Sequence, residues 1–248
     1  EEFGATEFVG YNTTHGEGKI LQIVVNDKTA KTAAEGDEVS VLVNQTPFYG
    51  ESGGQVGDIG VFVTESGATI EINDTHKKLA ALHVHVGKIT AGNISRGDVV
   101  QMNVDQENRN KIRANHSVTH ILHSALRTSL GDHLTQKGSR VAADKMRFDI
   151  SHSKALTDSE IRKVEDDVNH IIRQNSEVTT RLMTPDEAIK AGAMALFGEK
   201  YGDEVRVVAM GSDPEGSDYS VELCGGTHVK RTGDIGYFKI ISEGAVAS

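Results

Sequence analysis

Two histidine-bearing motifs, far apart in the chain, constrain the fold more than any other feature. The first is His116-Ser117-Val118-Thr119-His120 and the second is Cys224-Gly225-Gly226-Thr227-His228. The first lies in residues 109–130, where Ile112, Val118, Ile121, Leu122, Ala125 and Leu126 recur at helical spacing. Positions i and i+4 stack one turn apart on a helix, so His116 and His120 point the same way. The second motif holds the only cysteine, four residues before another histidine. Two imidazoles from a helix, with a thiolate and an imidazole from a loop, suit zinc, which takes mixed nitrogen and sulfur ligands. Either motif alone is weak: a histidine pair is often a surface or core accident, and Cys-Gly-Gly-Thr-His is a glycine turn beside a cysteine. Together, with no second thiol competing, they make His116, His120, Cys224 and His228 one metal site that the fold must assemble. Four protein ligands can close a structural tetrahedral site, whereas catalysis needs an open or loosely held position. Spacing leaves both open.

Up to about residue 104 the chain reads as short strands: 19–26, 38–44, 60–64, 69–73, 82–87 and 98–104. Turn signals at Asn26-Asp27, Glu35-Gly36-Asp37, Glu65-Ser66-Gly67 and Arg96-Gly97-Asp98 separate them. Many short strands at close spacing predict a small barrel or sandwich. His83 and His85 alternate on one strand and, with no third ligand nearby, read as two polar positions. The stretch Tyr49-Gly50-Glu51-Ser52-Gly53-Gly54-Gln55-Val56-Gly57-Asp58 lacks the Gly-Lys-Ser/Thr ending of a phosphate loop. A hairpin connection is its default reading, although a glycine loop also lets backbone approach a ligand.

From about residue 105 the periodicity turns helical. Besides the metal helix, a helix is expected over 157–174, opened by a Thr157/Glu160 capping box. A short one is expected from Thr184-Pro185-Asp186-Glu187 through Ala195. Strands are expected at 140–143 or 147–150, and at 205–210, 219–223 and 237–241. The expected fold class is α+β: a small amino-terminal β-barrel over residues 1–104, then an α+β zinc-binding domain over 105–248.

Composition narrows the chemistry. No apolar run is long enough to span a membrane, and Glu1-Glu2-Phe3-Gly4 lacks the basic and apolar parts of a signal peptide. A single cysteine excludes an internal disulfide and fits a reducing compartment, so a cytoplasmic location is expected. A first residue other than Met points to a processed chain or a fragment. A net charge of −10 argues against a general nucleic-acid binder. Residues 106–147 nevertheless carry Arg109, Lys111, Arg113, Arg127, Lys137, Arg140, Lys145 and Arg147 against Glu107, Asp132 and Asp144. That segment reads as a solvated face or as a surface that receives phosphates beside the metal; the second is preferred because it contains the first metal motif. Ser117 follows His116 where a zinc protease has Glu, and no serine-nucleophile elbow is recognised. With the cysteine committed to metal, metal-assisted hydrolysis by water is the expected reaction type.

At this point the residues resemble a known family. Asn115-His116-Ser117-Val118-Thr119-His120-Ile121-Leu122-His123 and Gln136-Lys137-Gly138-Ser139 are similar to the editing domain of alanyl-tRNA synthetases. So are the stretch Gly192-Ala193-Met194-Ala195-Leu196-Phe197-Gly198-Glu199-Lys200-Tyr201-Gly202 and Val221-Glu222-Leu223-Cys224-Gly225-Gly226-Thr227-His228. Phe8-Val9-Gly10-Tyr11 and Gly53-Gly54-Gln55 look like the preceding β-barrel of that family. Threonyl-tRNA synthetases carry a related domain, but Leu-Cys-Gly-Gly-Thr-His is the alanyl form.

The resemblance implies hydrolysis of the ester that joins serine or glycine to the tRNA for alanine, with zinc on His116, His120, Cys224 and His228. It matches Thr119 and Gln136, with Ser139, to positions of amino-acid discrimination and editing, and Gly53-Gly54 to a loop bordering the pocket. Thr119 alternatively bonds back to its own helix, and Gln136 is alternatively a loop amide. His123, three positions after His120, is a substitute ligand or, preferably, a helix-surface residue. Lys137 and Arg140 are candidates for the tRNA end or members of a solvated face. The expected partners are the acceptor end of the alanine tRNA carrying serine or glycine and the remainder of a synthetase, with no membrane. A freestanding deacylase, or a non-catalytic tRNA-binding module with structural zinc, are the alternatives.

Overall fold

Period-two alternation of β-branched and aromatic residues builds the first of two units, Glu1–Asn110. The structure, a computed structural model, describes residues 4–79, 81–194 and 203–244. The main strands of this unit are β1 (His15–Val25), β2 (Glu38–Val43), β3 (Gly60–Thr64), β4 (Thr69–Lys78), β5 (Leu82–Ala91) and β6 (Val99–Val104). They hydrogen-bond in the order β6-β3-β4-β5-β2-β1, all antiparallel, and β1 pairs back onto β6 to close a six-stranded barrel-like sheet. Ile20, Ile23, Val41, Val43, Phe62, Ile70, Ile72, Ile89, Val100 and Met102 fill it. Burying each such side chain contributes about 1.5–3 kcal/mol.

His83 and His85, read as two polar positions on one strand, are both buried. His85 packs against Phe48 and Phe62 and is hydrogen-bonded at both ring nitrogens, Nδ1 to the Val41 carbonyl at 3.1 Å and Nε2 to Thr46 Oγ1 at 2.9 Å. His83 stacks on Phe8, interplanar angle 7°. The two share a face as the alternation indicates, and the partners that satisfy them are remote in sequence.

The glycine-rich stretch contains a tight turn: Ser52 and Gln55 exchange both backbone hydrogen bonds around Gly53 (φ 56°) and Gly54 (φ 84°). Two consecutive left-handed residues make a two-residue hairpin turn that favours glycine. Contrary to expectation, Gly50-Glu51-Ser52-Gly53-Gly54 does have the Gly-x-Ser-x-Gly spacing of a nucleophile elbow. No helix follows it, and Ser52 Oγ bonds inside the turn to Tyr49 Oη at 2.9 Å and the Gly50 carbonyl at 3.1 Å. A strand-to-helix elbow is therefore excluded.

The second unit is Lys111–Ser248, and the boundary falls within helix α1 (Gln106–Leu130). A hairpin of β7 (Gln136–Val141) and β8 (Met146–Ile150) follows, so both alternative strand positions are occupied and paired with each other. Helix α2 (Asp158–Arg173) begins at a reciprocal Thr157/Glu160 capping box, as the pattern predicts. A three-stranded sheet of β9 (Thr179–Met183), β10 (Val205–Ser212) and β11 (Asp218–Leu223) completes the layer. Val118, Ile121, Leu122, Ala125 and Leu126 of α1 meet Val164, Val168, Ile171 and Ile172 of α2 and Val208 and Met210 of β10 in one core.

Two expectations need correction. Helix α3 (Pro185–Lys190) opens with the Thr184/Glu187 box but stops at Lys190, where Gly192 adopts φ 80° and ends it; the expected terminus, Ala195, lies outside the described residues. Residues 237–241 form no strand and pair with none among the described residues. Side chains of α2 take the backbone instead: Phe238 exchanges hydrogen bonds with the Asn169 amide at 2.9 Å, and Ile240 N donates to Glu165 Oε1 at 2.8 Å.

Candidate metal centre

Helix α1 brings His116 and His120 to one face, with ring centroids 5.3 Å apart and rings nearly parallel. Strand β11 ends at Leu223, and Cys224 N donates to the Arg206 carbonyl at 3.0 Å, which ties the cysteine to the neighbouring strand. The Gly-Gly turn then returns the chain so that His228 faces the same point. Cys224 Sγ is 3.4 Å from His116 Nε2 and 3.3 Å from His228 Nε2, and Gly226 N donates to it at 3.4 Å. The donor atoms of His116, His120, Cys224 and His228 all lie within 4.8 Å of one another. Tetrahedral zinc with ligands at about 2.0–2.3 Å places donors about 3.3–3.8 Å apart, so the set is at zinc scale.

The fit rests on one atom in particular. His120 Nε2 is buried with no hydrogen-bond partner, a costly arrangement unless an electron-pair acceptor takes it. The Nδ1 atoms of His120 and His228 are held from behind. Glu222 Oε2 accepts from His120 Nδ1 at 2.7 Å, and Ser117 Oγ meets His228 Nδ1 at 3.2 Å while accepting from Val229 N at 3.1 Å. A donor set of imidazole nitrogens and one thiolate sulfur, buried and braced in this way, fits zinc.

Electrostatics agree. Burial opposes ionisation of Cys224, but the imidazoles of His116, His228 and His120 outweigh it and hold the thiol well below its usual range. Burial also opposes a charged His120, and the Glu222 and Cys224 charges overcome it, raising its pKa well above the ordinary histidine value. Burial lowers His228 to about 4 against the pull of Cys224. Burial works against Glu222 too, yet His120 and His123 keep its carboxyl at about 2. A buried thiolate balanced by imidazolium is the arrangement in which a divalent cation replaces a proton.

The remaining sequence candidates fall in several places. Thr119 is buried, and its hydroxyl donates to the Asn115 carbonyl at 2.8 Å. Asn115 in turn donates to the Ala142 carbonyl at 2.7 Å, anchoring helix α1 to the end of β7. Gln136 and Ser139 lie on β7, half-buried, with Gln136 Nε2 3.3 Å from Ser139 Oγ; Lys137 and Arg140 are exposed on the same strand. Gly53 and Gly54 belong to the first unit.

Two residues take other roles than expected, and two more were not foreseen. His123 is buried, not on the helix surface, and gives Nδ1 to Glu222 Oε1 at 2.8 Å. Glu222 and Ser117 were not singled out from sequence; the usable signal was their adjacency to Cys224 and His116 and, for Glu222, a charged residue on the inward alternation of a strand. Arg109 leaves the phosphate-receiving set, because its guanidinium is fully buried on Asp58 and donates to the carbonyls of Gly10 and Pro47. Within the first unit a second donor group, Glu51, Asp74 and His76, is exposed or half-buried, and its His76–Asp74 contact at 3.5 Å is a surface ion pair.

Comparison with known proteins identifies relatives of this chain. Residues 1–108 match the family model of class II (A) tRNA synthetases, and residues 205–248 match that of the threonyl and alanyl tRNA synthetase second additional domain. The chain is 60% identical over 248 residues to an alanine–tRNA ligase of Sphingopyxis alaskensis. It is 57% identical over 250 residues to that of Parvibaculum lavamentivorans and 58% identical over 251 to that of Rhizorhabdus wittichii. In each case the whole chain is covered, and it spans 28% of the relative's length. Over its whole length, therefore, the chain belongs to the alanyl-tRNA synthetase family.

Proposed function

We propose that this chain hydrolyses the ester of mischarged alanine tRNA, removing serine or glycine, at a zinc site on His116, His120, Cys224 and His228. The observation that carries the reading is the convergence of those donors around a buried, unpartnered His120 Nε2 in a chain homologous to alanine–tRNA ligases. Zinc, when held there, supplies Lewis acidity for ester hydrolysis.

The chain's own groups supply selection. Serine differs from alanine by one hydroxyl, which a pocket built for alanine rejects weakly, so a second, hydrolytic site is needed. Thr119 commits its proton to Asn115, which leaves the oxygen lone pairs to accept from a serine hydroxyl. Gln136 and Ser139 on β7 orient substrate and water, while exposed Lys137 and Arg140 receive phosphates of the tRNA end. The logic of an unpaired polar group does not extend to glycine, which has no hydroxyl. The partners are the acceptor end of the alanine tRNA and the other parts of the ligase to which this segment corresponds.

The test is deacylation of Ser-, Gly- and Ala-charged alanine tRNA by zinc-loaded protein, with His116→Ala alongside. Loss of serine and glycine with alanine retained supports the proposal. The competing reading is a closed structural site, favoured by the presence of four protein donors. Stoichiometric zinc with no hydrolysis of any of the three tRNAs would establish it.

A further inference from the structure

Inward alternation on β11 places Glu222 beneath α1, where it is 4% exposed. Its two oxygens serve different rings: Oε2 lies 2.7 Å from His120 Nδ1 and Oε1 lies 2.8 Å from His123 Nδ1. His120 and His123 are three positions apart on the helix, so one carboxylate spans both imidazoles. A carboxylate only accepts, so each ring carries a proton on Nδ1, and Nε2 of His120 is the atom that offers its lone pair when a cation takes the place of a proton there. For His120 that lone pair belongs to the atom that converges with His116, Cys224 and His228.

We propose that Glu222 is the positioning residue of the metal centre, holding His120 in the Nδ1–H tautomer that directs Nε2 to the metal, with His123 as the second anchor that fixes the carboxylate. This rests on the metal reading above and deepens it. His123 is then no ligand. Its Nδ1–H occupies the oxygen that would otherwise leave Glu222 free to rotate away from His120, and its ring is set against Phe148, centroids 5.4 Å apart. The tie also joins the two halves of the donor set, because Glu222 lies two residues before Cys224 at the same strand end while His120 belongs to the helix. Breaking it loosens both at once.

The experiment uses the whole chain, stripped and reloaded with zinc or with cobalt as a spectroscopic probe. Zinc affinity is read by competition with a chelating dye, and histidine tautomers by long-range 1H–15N correlation. Removal of a carboxylate behind a ligating histidine weakens metal binding by about 10–100-fold, and that loss is expected for Glu222→Ala, with an altered cobalt spectrum. Glu222→Gln keeps the shape but offers one accepting oxygen, so it can hold one ring and not both; a smaller loss is expected, with His120 or His123 losing its fixed tautomer. His123→Gln, which touches no metal donor, is expected to weaken zinc as well. Should Glu222→Ala fail to fold, Glu222→Gln and His123→Gln carry the comparison. A wild-type chain that takes up no stoichiometric zinc overturns the metal centre and this inference with it. A wild-type chain that binds one zinc, with folded Glu222 and His123 variants equal to it in affinity, cobalt spectrum and tautomer, overturns the role of Glu222 alone.

Discussion

Arg109 and Asp58, far apart in sequence, form an ion pair with no solvent exposure on either side chain, Arg109 Nε lying 2.8 Å from Asp58 Oδ1. The guanidinium also holds the carbonyls of Gly10 and Pro47, and Asp58 accepts from Tyr49 N at 2.6 Å, so one buried network gathers three loops of the first unit. Removing one partner strands the other charge, which costs about 3–5 kcal/mol. Arg109→Met and Asp58→Ala are each expected to lower the unfolding free energy obtained from urea titration by that order, and the double replacement by less than the two together. Additive losses in the double variant would show that the pair does not act as a unit.

His85 sets a pH dependence. Burial lowers its pKa to about 3, with the Val41 hydrogen bond acting the other way, while an unfolded histidine titrates near 6.5. Between those values the unfolded chain binds a proton that the folded chain refuses, so stability rises with pH through the window and is lost as pH falls from about 6.5 toward 3. His83, lowered to about 4 by burial and then by Lys77, acts in the same direction. Each histidine contributes a slope of at most about 1.4 kcal/mol per pH unit. Urea unfolding between about pH 4.5 and 7 is expected to show the slope, reduced in His85→Gln. An unchanged slope in that variant would locate the titration elsewhere.

How much of this was legible in the sequence follows from the range of the forces. The barrel strands and the capping boxes at Thr157 and Thr184 are local patterns, and the structure places them where period and cap chemistry indicate. The convergence of His116, His120, Cys224 and His228 was legible because two spacings, i and i+4 on a helix and four across a glycine turn, each bring a pair of donor side chains together. What could not be read depends on partners distant in the chain. Arg109 reads as one more surface cation until Asp58 arrives from the glycine-rich loop, and His85 reads as polar until Thr46 and Val41 satisfy it. The segment 237–241 has a strand's composition, but Asn169 and Glu165 on a helix took the hydrogen bonds that a neighbouring strand would make. Glu222 belongs to the same class: its meaning lies in two histidines about a hundred residues upstream.

Zinc is expected to stabilise the folded chain in proportion to its binding. A ligand at a hundred times its Kd adds about 2.7 kcal/mol, so zinc should raise the thermal midpoint of the wild-type chain and a chelator should lower it again. Cys224→Ser, which removes the soft donor, is expected to lose both stoichiometric zinc by elemental analysis and the zinc-dependent rise. Equal zinc content in Cys224→Ser and wild type would remove the cysteine from the ligand set.

Thr119 offers the sharpest test of how serine is selected. Its hydroxyl is back-bonded to Asn115 and is buried, so Thr119→Val keeps the β-branched shape on the helix and removes the only polar atom of the side chain. If the oxygen accepts from the serine hydroxyl, the variant forfeits one hydrogen bond worth about 1–3 kcal/mol when its partner is left unpaired. That corresponds to a loss of roughly 5–150-fold in hydrolysis of Ser-charged tRNA. Glycine makes no such bond, so hydrolysis of Gly-charged tRNA should change little, and alanine, whose methyl group no longer meets an unpaired oxygen, should become less well protected. The measurement is kcat/KM for the three charged tRNAs with wild type and Thr119→Val at equal zinc loading. A parallel fall on serine and glycine would mean that the threonine supports the helix or the metal, and that serine is recognised elsewhere in the site.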